Sequence, residues 1–454
     1  MAEVKYEAPI RAEYVYGVSK DGLTKFVLPA AYDARIASQR KAAQAELRKT
    51  GFAALCNTAG ENELTGLHRL FWDYVETINP NIKRDDHSTC NNKEWPGFFS
   101  VGIFKWYGIG HSSFLWAVRC LVLLLVFWSE MFDTDRLLTS FDGCGVIRGW
   151  EHNYEAVGAP QKPKKKKEEK KEEKKKKEPV EPKVGWRHVD QNLNILPERN
   201  TSYQGGFNVI DAADPRTHGG FAYVPYSSEA IHTRFHQKTN LSPFNNRHGA
   251  NTHYNPLEAS DPLNKVQRVV CGAMAGDYIM WDSTTVHENY HPLCTPDKAT
   301  KKRKTPPPKD AIVGRLRRLT AYVPFSAASK VLEHGVKGLN MSQFMRARMR
   351  TIAQGFTTPH WPFYTFDKEN AMIYPRASTS TPLEIPLSCK NRHLSPTESA
   401  LAFGTPLPAS ALGHSLPVPA SRKRKIIQDD DDGEVEMAKS RRIEYSDPDQ
   451  PGSA

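Results

Sequence analysis

Paired cysteines, long apolar runs and an apolar leader are scarce or missing in this 454-residue chain. Each scarcity removes a class of protein. Its seven cysteines (56, 90, 120, 144, 271, 294 and 389) are scattered, and no two form a C-x-x-C. Neither a disulfide framework nor a thiolate zinc site is expected, which fits a reducing compartment. Cys120–Trp128 is nine residues long and lacks a polar side chain. A membrane span needs about 20 such residues, so the run reads as a buried helix. Its Leu-Val repetition differs from its surroundings and leaves a gene-model artefact open. The start, Met1-Ala2-Glu3-Val4-Lys5, is charged and has no signal core. The end, Pro451-Gly452-Ser453-Ala454, carries no peroxisomal tripeptide. An intracellular, cytoplasmic or nuclear protein that is not secreted is expected.

Apolar residues make up 39% of the chain and charged residues 25%. Part of the chain is therefore expected to be unfolded or highly solvated. The formal charge of +11 suggests nucleic acid until it is located. Between Lys162 and Glu178 there are 11 Lys and 5 Glu, a net +6, so the remainder carries only +5. Such a run reads as a solvated linker; a polyanion contact there would be strongly salt-dependent. From about Leu394 the chain turns rich in Pro, Ser and Ala. Residues 394–454 read as a disordered tail. Its Arg422-Lys423-Arg424-Lys425 cluster fits a nuclear-import signal or a charged tail. These basic runs permit a nucleic-acid partner without being specific for one.

Residues 30–50 read as a helix ending at Gly51. Glu61–Ile78 places Leu64, Leu67, Leu70, Phe71 and Tyr74 at helical spacing, on a face that should pack against a sheet. His111, in Gly108-Ile109-Gly110-His111-Ser112, reads as a loop or cap residue, or else as a pocket contact. Leu137–Gly143 reads as a strand entering the core. A Lys/Glu-rich insertion follows at about 151–183, and strands continue to about Ser326. A breaker-rich second insertion spans about 295–310, with Lys301–Lys304 and Pro306–Pro308. Helical sequence is expected at Ser342–Ala353, ahead of Thr357-Thr358-Pro359-His360-Trp361-Pro362.

Two segments carry chemistry. In Gly185-Trp186-Arg187-His188-Val189-Asp190, strand alternation points His188 and Asp190 the same way. In Gly276-Asp277-Tyr278-Ile279-Met280-Trp281-Asp282-Ser283-Thr284-Thr285-Val286-His287, a turn leads into an apolar strand that ends in a histidine. One imidazole and one carboxylate on one face, with a second imidazole later, make up a 2-His-1-carboxylate metal set.

The order continues through Tyr203-Gln204-Gly205-Gly206-Phe207, Gly219-Gly220-Phe221-Ala222-Tyr223-Val224-Pro225 and Arg315-Leu316-Arg317-Arg318-Leu319-Thr320-Ala321-Tyr322. From Leu137 to Ser326 it resembles the phytanoyl-CoA dioxygenase-like branch of the iron(II)/2-oxoglutarate oxygenases. The resemblance implies a mainly β fold with flanking helices and a double-stranded β-helix (jelly-roll, cupin-like) core in a domain spanning 1–393. It implies Fe(II) on His188, Asp190 and His287, with 2-oxoglutarate and O2 as co-reactants. A small-molecule or lipid-like substrate would be hydroxylated. The far carboxylate of the keto-acid needs a bidentate cation. Arg318, with Thr320 and Tyr322 on its strand face, fits better than Arg315 or Arg317. Arg318 lies further from His287 than is usual in the family, and the second insertion accounts for the excess. Gln204 and Asn289 are expected beside the ligands or the keto-acid. The family's Pro-Gly-Ser-His is here Pro225-Tyr226-Ser227-Ser228, which leaves the substrate rim open. Asp190 stands where halogenating relatives have Gly or Ala, and so favours hydroxylation or a related oxidation.

Other readings remain. His287-Glu288-Asn289-Tyr290-His291 is an H-E-x-x-H, the zinc-peptidase pattern, which requires a helix. Pro292 and the β-branched, aromatic residues before it favour a strand ending in a loop. A catalytically inactive jelly-roll binding module is a further alternative, as is an oxygenase acting on nucleic acid.

Overall fold

Strands whose residues alternate between two apolar faces build the two large sheets of this chain. The computed structural model describes residues 7–90, 94–96, 102–148, 187–194, 196–238, 255–292, 316–334, 340–363 and 384–413. These belong to one unit, Met1–Leu416. Both insertions, the Lys162–Glu178 run, Arg315 and the Arg422–Lys425 cluster lie outside the described residues.

Strands β1 to β5 are Tyr14–Val18, Thr24–Leu28, Tyr32–Asp33, Phe52–Cys56 and Ile103–Phe104. β6 to β10 are Leu137–Thr139, Cys144–Ile147, His188–Val189, Tyr203–Asn208 and Gly220–Tyr223. β11 to β16 are Asn255–Pro256, Arg268–Cys271, Tyr278–Asp282, His287–Tyr290, Arg318–Tyr322 and Phe325–Ala327. Helices α1 to α4 are Ala37–Thr50, Glu61–Ile78, Ser113–Arg119 and Val122–Phe132. Helices α5 to α9 are Pro215–His218, Ser227–His236, Lys330–His334, Met341–Gln354 and Pro396–Phe403.

One seven-stranded sheet runs β1-β2-β12-β10-β14-β8-β11, and a second runs β3-β4-β13-β9-β15-β7-β5. Side-chain alternation divides the second sheet. Phe52, Ala54, Ile279 and Trp281 join Val27, Phe221, Val269 and Cys271 of the first sheet in one buried cluster, so the two sheets face each other. Ala53, Leu55, Tyr278, Met280, Leu319 and Ala321 turn the other way, into a core shared with Leu47, Phe71, Trp116, Leu124 and Trp128 of the helices. Among the described residues the fold is rich in mixed β-sheets, with several helices beside them.

The run at Cys120–Trp128 is explained by this second core. Leu124, Leu125, Phe127 and Trp128 of α4 are fully buried. The Trp128 indole donates to the Tyr278 hydroxyl at 3.1 Å, and that hydroxyl donates to the Val323 carbonyl at 2.8 Å. Among the described residues no single helix is long and apolar enough to cross a membrane.

Several boundaries differ from expectation. The helix expected over 30–50 starts at Ala37, with Tyr32–Asp33 in β3, and the strand expected to run from the Gly276-Asp277 turn to His287 is two strands, β13 and β14, in different sheets. Among the described residues Leu137–Thr139 pairs only with β16, and Cys144–Ile147 joins the large sheet against β15. Both segments alternate suitably, and nothing local names a strand's partner. The tail expected from Leu394 begins instead with α9, which buries Ala400, Leu401 and Ala402. Its start is a reciprocal cap: Glu398 N–H donates to Ser395 Oγ at 3.3 Å, and Ser395 N–H to Glu398 Oε2 at 2.7 Å.

Candidate metal centre

β8 and β14 lie side by side, with His188 opposite His287. Both imidazoles therefore leave the same face of the first sheet, and their ring centroids stand 4.3 Å apart. Asp190 follows β8 immediately. Its Oδ1 lies 3.4 Å from His188 Nε2, and its Oδ2 lies 3.1 Å from His287 Nε2. One ligand atom from each of the three residues falls within 4.8 Å of the others, and all three side chains are buried. His188, Asp190 and His287 are thus brought together as the sequence predicts.

Each member is held from behind. The turn before β14 is built on Asp282, whose carboxylate accepts from Thr284 N–H at 2.8 Å and Asn200 N–H at 3.0 Å. His287 Nδ1–H donates to the Thr285 carbonyl at 2.8 Å. That bond selects the tautomer whose Nε2 keeps a lone pair facing Asp190, the state a metal ligand needs. Asp190 N–H donates to the Ser283 carbonyl at 2.8 Å. The Asp190 carbonyl accepts from Trp361 Nε1–H at 3.0 Å and lies 3.1 Å from His360 Nε2. Gln204 Nε2–H donates to Asp190 Oδ2 at 2.9 Å. Burial alone would push the Asp190 carboxyl up. The surrounding imidazoles of His360, His188 and His287 outweigh burial and hold it well below the usual carboxylate range.

The second sheet supplies the opposite wall. Leu319 and Ala321 enter the helix-side core, so Arg318, Thr320 and Tyr322 face the first sheet. The Asn289 amide spans the gap to the Tyr322 hydroxyl at 3.1 Å. Gly145 makes room for that hydroxyl, since a Cβ there would sit 2.6 Å from it. Thr320 Oγ1–H donates to Asn208 Oδ1 at 2.7 Å. Arg318 is only 6% exposed. Its guanidinium makes no hydrogen bond or ion pair to a described residue. Burial lowers its pKa, and the Tyr322 hydroxyl and Cys271 thiol only partly offset that effect.

The residues missed from the sequence are His360 and Trp361, which clamp Asp190 from 170 and 171 positions away. Only their segment had been singled out, without a role. His111 is no pocket contact: it is fully buried, its Nε2 lies 3.0 Å from the Phe356 carbonyl, and burial pushes its pKa down to about 3. Arg317 instead donates to the Thr217 carbonyl at 2.7 Å, near the surface. The zinc-peptidase reading fails on geometry. His287–Tyr290 is a strand, so Glu288 leaves the face opposite His287. There its carboxylate meets Arg268 at 2.6 Å and Arg187 at 3.5 Å. A buried carboxylate neutralised by two guanidiniums is not a general base.

No family model matches the chain, and no curated protein does either. Among solved structures, AviO1 from Streptomyces viridochromogenes Tue57 is 12% identical, with a TM-score of 0.34 over 63% of this chain and 94% of that one. The non-heme alpha ketoglutarate dependent carbocyclase SnoK from nogalamycin biosynthesis is 13% identical, with a TM-score of 0.33 over 63% and 84%. The epimerase SnoN, in complex with Fe3+, alpha ketoglutarate and nogalamycin RO, is 14% identical, with a TM-score of 0.34 over 64% and 84%.

Proposed function

We propose that this chain is an iron(II)- and 2-oxoglutarate-dependent oxygenase of the phytanoyl-CoA dioxygenase-like kind, with a double-stranded β-helix core, that hydroxylates an organic substrate. The observation that carries this reading is the buried His188/Asp190/His287 set, with ligand atoms within 4.8 Å. Two imidazoles and one carboxylate suit a non-haem ferrous ion with open positions.

Charge supports the cosubstrate. With neutral imidazoles, a divalent ion and Asp190 leave one net positive charge, and Arg318 adds a second. A dicarboxylate cancels both, which a buried site requires. Arg318 offers its unspent guanidinium to the far carboxylate, with Thr320 beside it on the strand. Gln204 and the Asp190 main-chain bonds orient the carboxylate ligand, and the Thr285 carbonyl holds the tautomer of His287. Iron(II) with 2-oxoglutarate, when bound, would couple oxidative decarboxylation of the keto-acid by O2 to hydroxylation of a C–H bond. The paired sheets keep bulk water from the reacting centre.

Anaerobic equilibrium dialysis tests the ligand assignment. The wild type should bind one ferrous ion per chain. Asp190→Ala should bind none while keeping its circular dichroism. An Asp190→Ala protein that keeps its iron rejects the assignment.

A further inference from the structure

The histidine spacing that fails as a zinc site on β14 recurs on a helix. Helix α6 carries Glu229, His232 and His236. Residues three, four and seven apart share a helix face, so these three stand in one line. The rings of His232 and His236 lie 6.4 Å apart, centroid to centroid, and are tilted by 31°. Ile231 leaves another face and is buried with Val189, Leu193, Val224 and Val286. That packing fixes the helix, and with it the line. The start of α6 is tied to the turn ahead of β14: Val286 N–H donates to Ser227 Oγ at 2.8 Å, and Ser228 Oγ lies 2.6 Å from Thr284 Oγ1.

Glu229, His232 and His236 line an open cavity of about 760 Å³, together with Pro197, Glu198 and Arg199 from the loop ahead of β9. Hydrogen bonds hold that loop in place. Gln191 Nε2–H donates to the Leu196 carbonyl at 2.7 Å and to the Glu198 carbonyl at 2.9 Å, and Thr201 Oγ1–H donates to the Glu198 carbonyl at 3.0 Å. A histidine buried for packing alone spends its ring nitrogens on fixed partners. His232 does not. It is 5% exposed, and its Nε2 has no partner among the described residues. Burial first, then Arg199 and His236, push its pKa down to about 4. The ring therefore stays neutral at physiological pH and keeps a lone pair.

Neutral imidazoles beside a carboxylate are the donor set of a borderline divalent ion. Glu198 and Glu229 bring two negative charges to the cavity, and Arg199 returns one positive charge. The balance favours a cation, and an anionic ligand would meet both carboxylates. Among the described residues, three ligand atoms already lie within 4.8 Å of one another only at His188, Asp190 and His287. At the cavity, Glu229 and His236 are exposed, and their heads must turn toward the buried His232. Water has room to complete the coordination shell. We infer that His232, His236 and Glu229 hold a second divalent metal ion, of the zinc(II) class, apart from the iron site.

The test is a zinc(II) count on the tag-free full chain, by mass spectrometry of the metal after dialysis against micromolar zinc(II). Zinc(II) also suits the first set, so four proteins are compared. Wild type should hold two equivalents, Asp190→Ala one, His236→Gln one, and the double variant none. His236 is exposed, so His236→Gln should keep the circular dichroism of wild type. Glu229→Gln, also at an exposed residue, should weaken zinc(II) in the Asp190→Ala protein by about tenfold or more. Excess magnesium(II), which prefers oxygen ligands, should not displace it. An Asp190→Ala protein without zinc(II), or a count that His236→Gln leaves unchanged in both backgrounds, overturns the inference. The drop from wild type to Asp190→Ala judges the first metal set separately.

Discussion

Two buried arginines, Arg348 and Arg318, share the same residual exposure of 6% and differ in everything else. Arg348, on α8, lies under the C-terminal helix. Its guanidinium donates to the carbonyls of Ala402, Pro362 and Thr139 and sits 4.2 Å over the Phe141 ring. Burial pushes its pKa down to about 9. Arg318, between the sheets, donates to no described residue. A charge removed from water and left without partners costs several kcal/mol unless something compensates. Arg348 is compensated inside the fold, as a clasp joining β6, the Pro362 turn and α9. Arg318 is not, and the compensation falls to a ligand.

The widest separation should come from truncating each in turn. Arg348→Ala leaves three carbonyls without their donor and should cost roughly 3–5 kcal/mol in urea unfolding. Arg318→Ala relieves an uncompensated buried charge and should leave stability unchanged or raise it by up to a few kcal/mol. Equal losses would erase the distinction.

Affinity should reverse the ranking. Arg318→Ala should weaken 2-oxoglutarate binding by about 100-fold, as expected for a charged hydrogen-bonded partner, measured by anaerobic calorimetry. Unchanged affinity in that variant would move the keto-acid site elsewhere.

A pH series sharpens the structural side. His111 packs on Phe141, with Arg119 and Arg348 near it, and stays neutral down to about 3 against an ordinary 6.5. The unfolded chain takes up that proton first. The stability from neutral His111 is therefore complete above 6.5 and lost as pH falls toward 3. Urea unfolding of His111→Gln should show a shallower slope across that interval.

The smallest effect should come from Trp361, next to Pro362 of the clasp. Trp361→Phe deletes one bond to the Asp190 carbonyl and shrinks a fully buried side chain, so it should weaken iron binding by about tenfold and cost about 1–2 kcal/mol of stability. A loss of stability without loss of iron would assign Trp361 to the core alone.

How much of this was legible varied with the range of the interaction. His188 and Asp190 could be paired from period-two alternation, whereas the strand that follows Gly276-Asp277 does not reach His287 as expected: β13 stops at Asp282 in the second sheet, and His287 opens β14 in the first. α2 was legible from its 3.6-residue period, and the end of α1 from Gly51, whose φ is 80°. Trp361 and His360 were not, because nothing near them in the chain mentions Asp190. Leu137–Gly143 was expected as one strand entering the core, whereas the strand there is Leu137–Thr139, paired with β16, because alternation specifies a face and not a neighbour. α9 was obscured by Pro/Ser-rich composition, although Ser395-Pro396-Thr397-Glu398 carries a helix-start pattern.

The central claim is that a ferrous ion and a keto-dicarboxylate share the space between His188, Asp190, His287 and Arg318. Anaerobic addition of iron(II) and then 2-oxoglutarate to the full chain tests it in one spectrum. A visible metal-to-ligand charge-transfer band should rise to one equivalent and be absent in Asp190→Ala. Well-folded wild-type protein that shows no band, or an Asp190→Ala protein that shows the same one, contradicts the account.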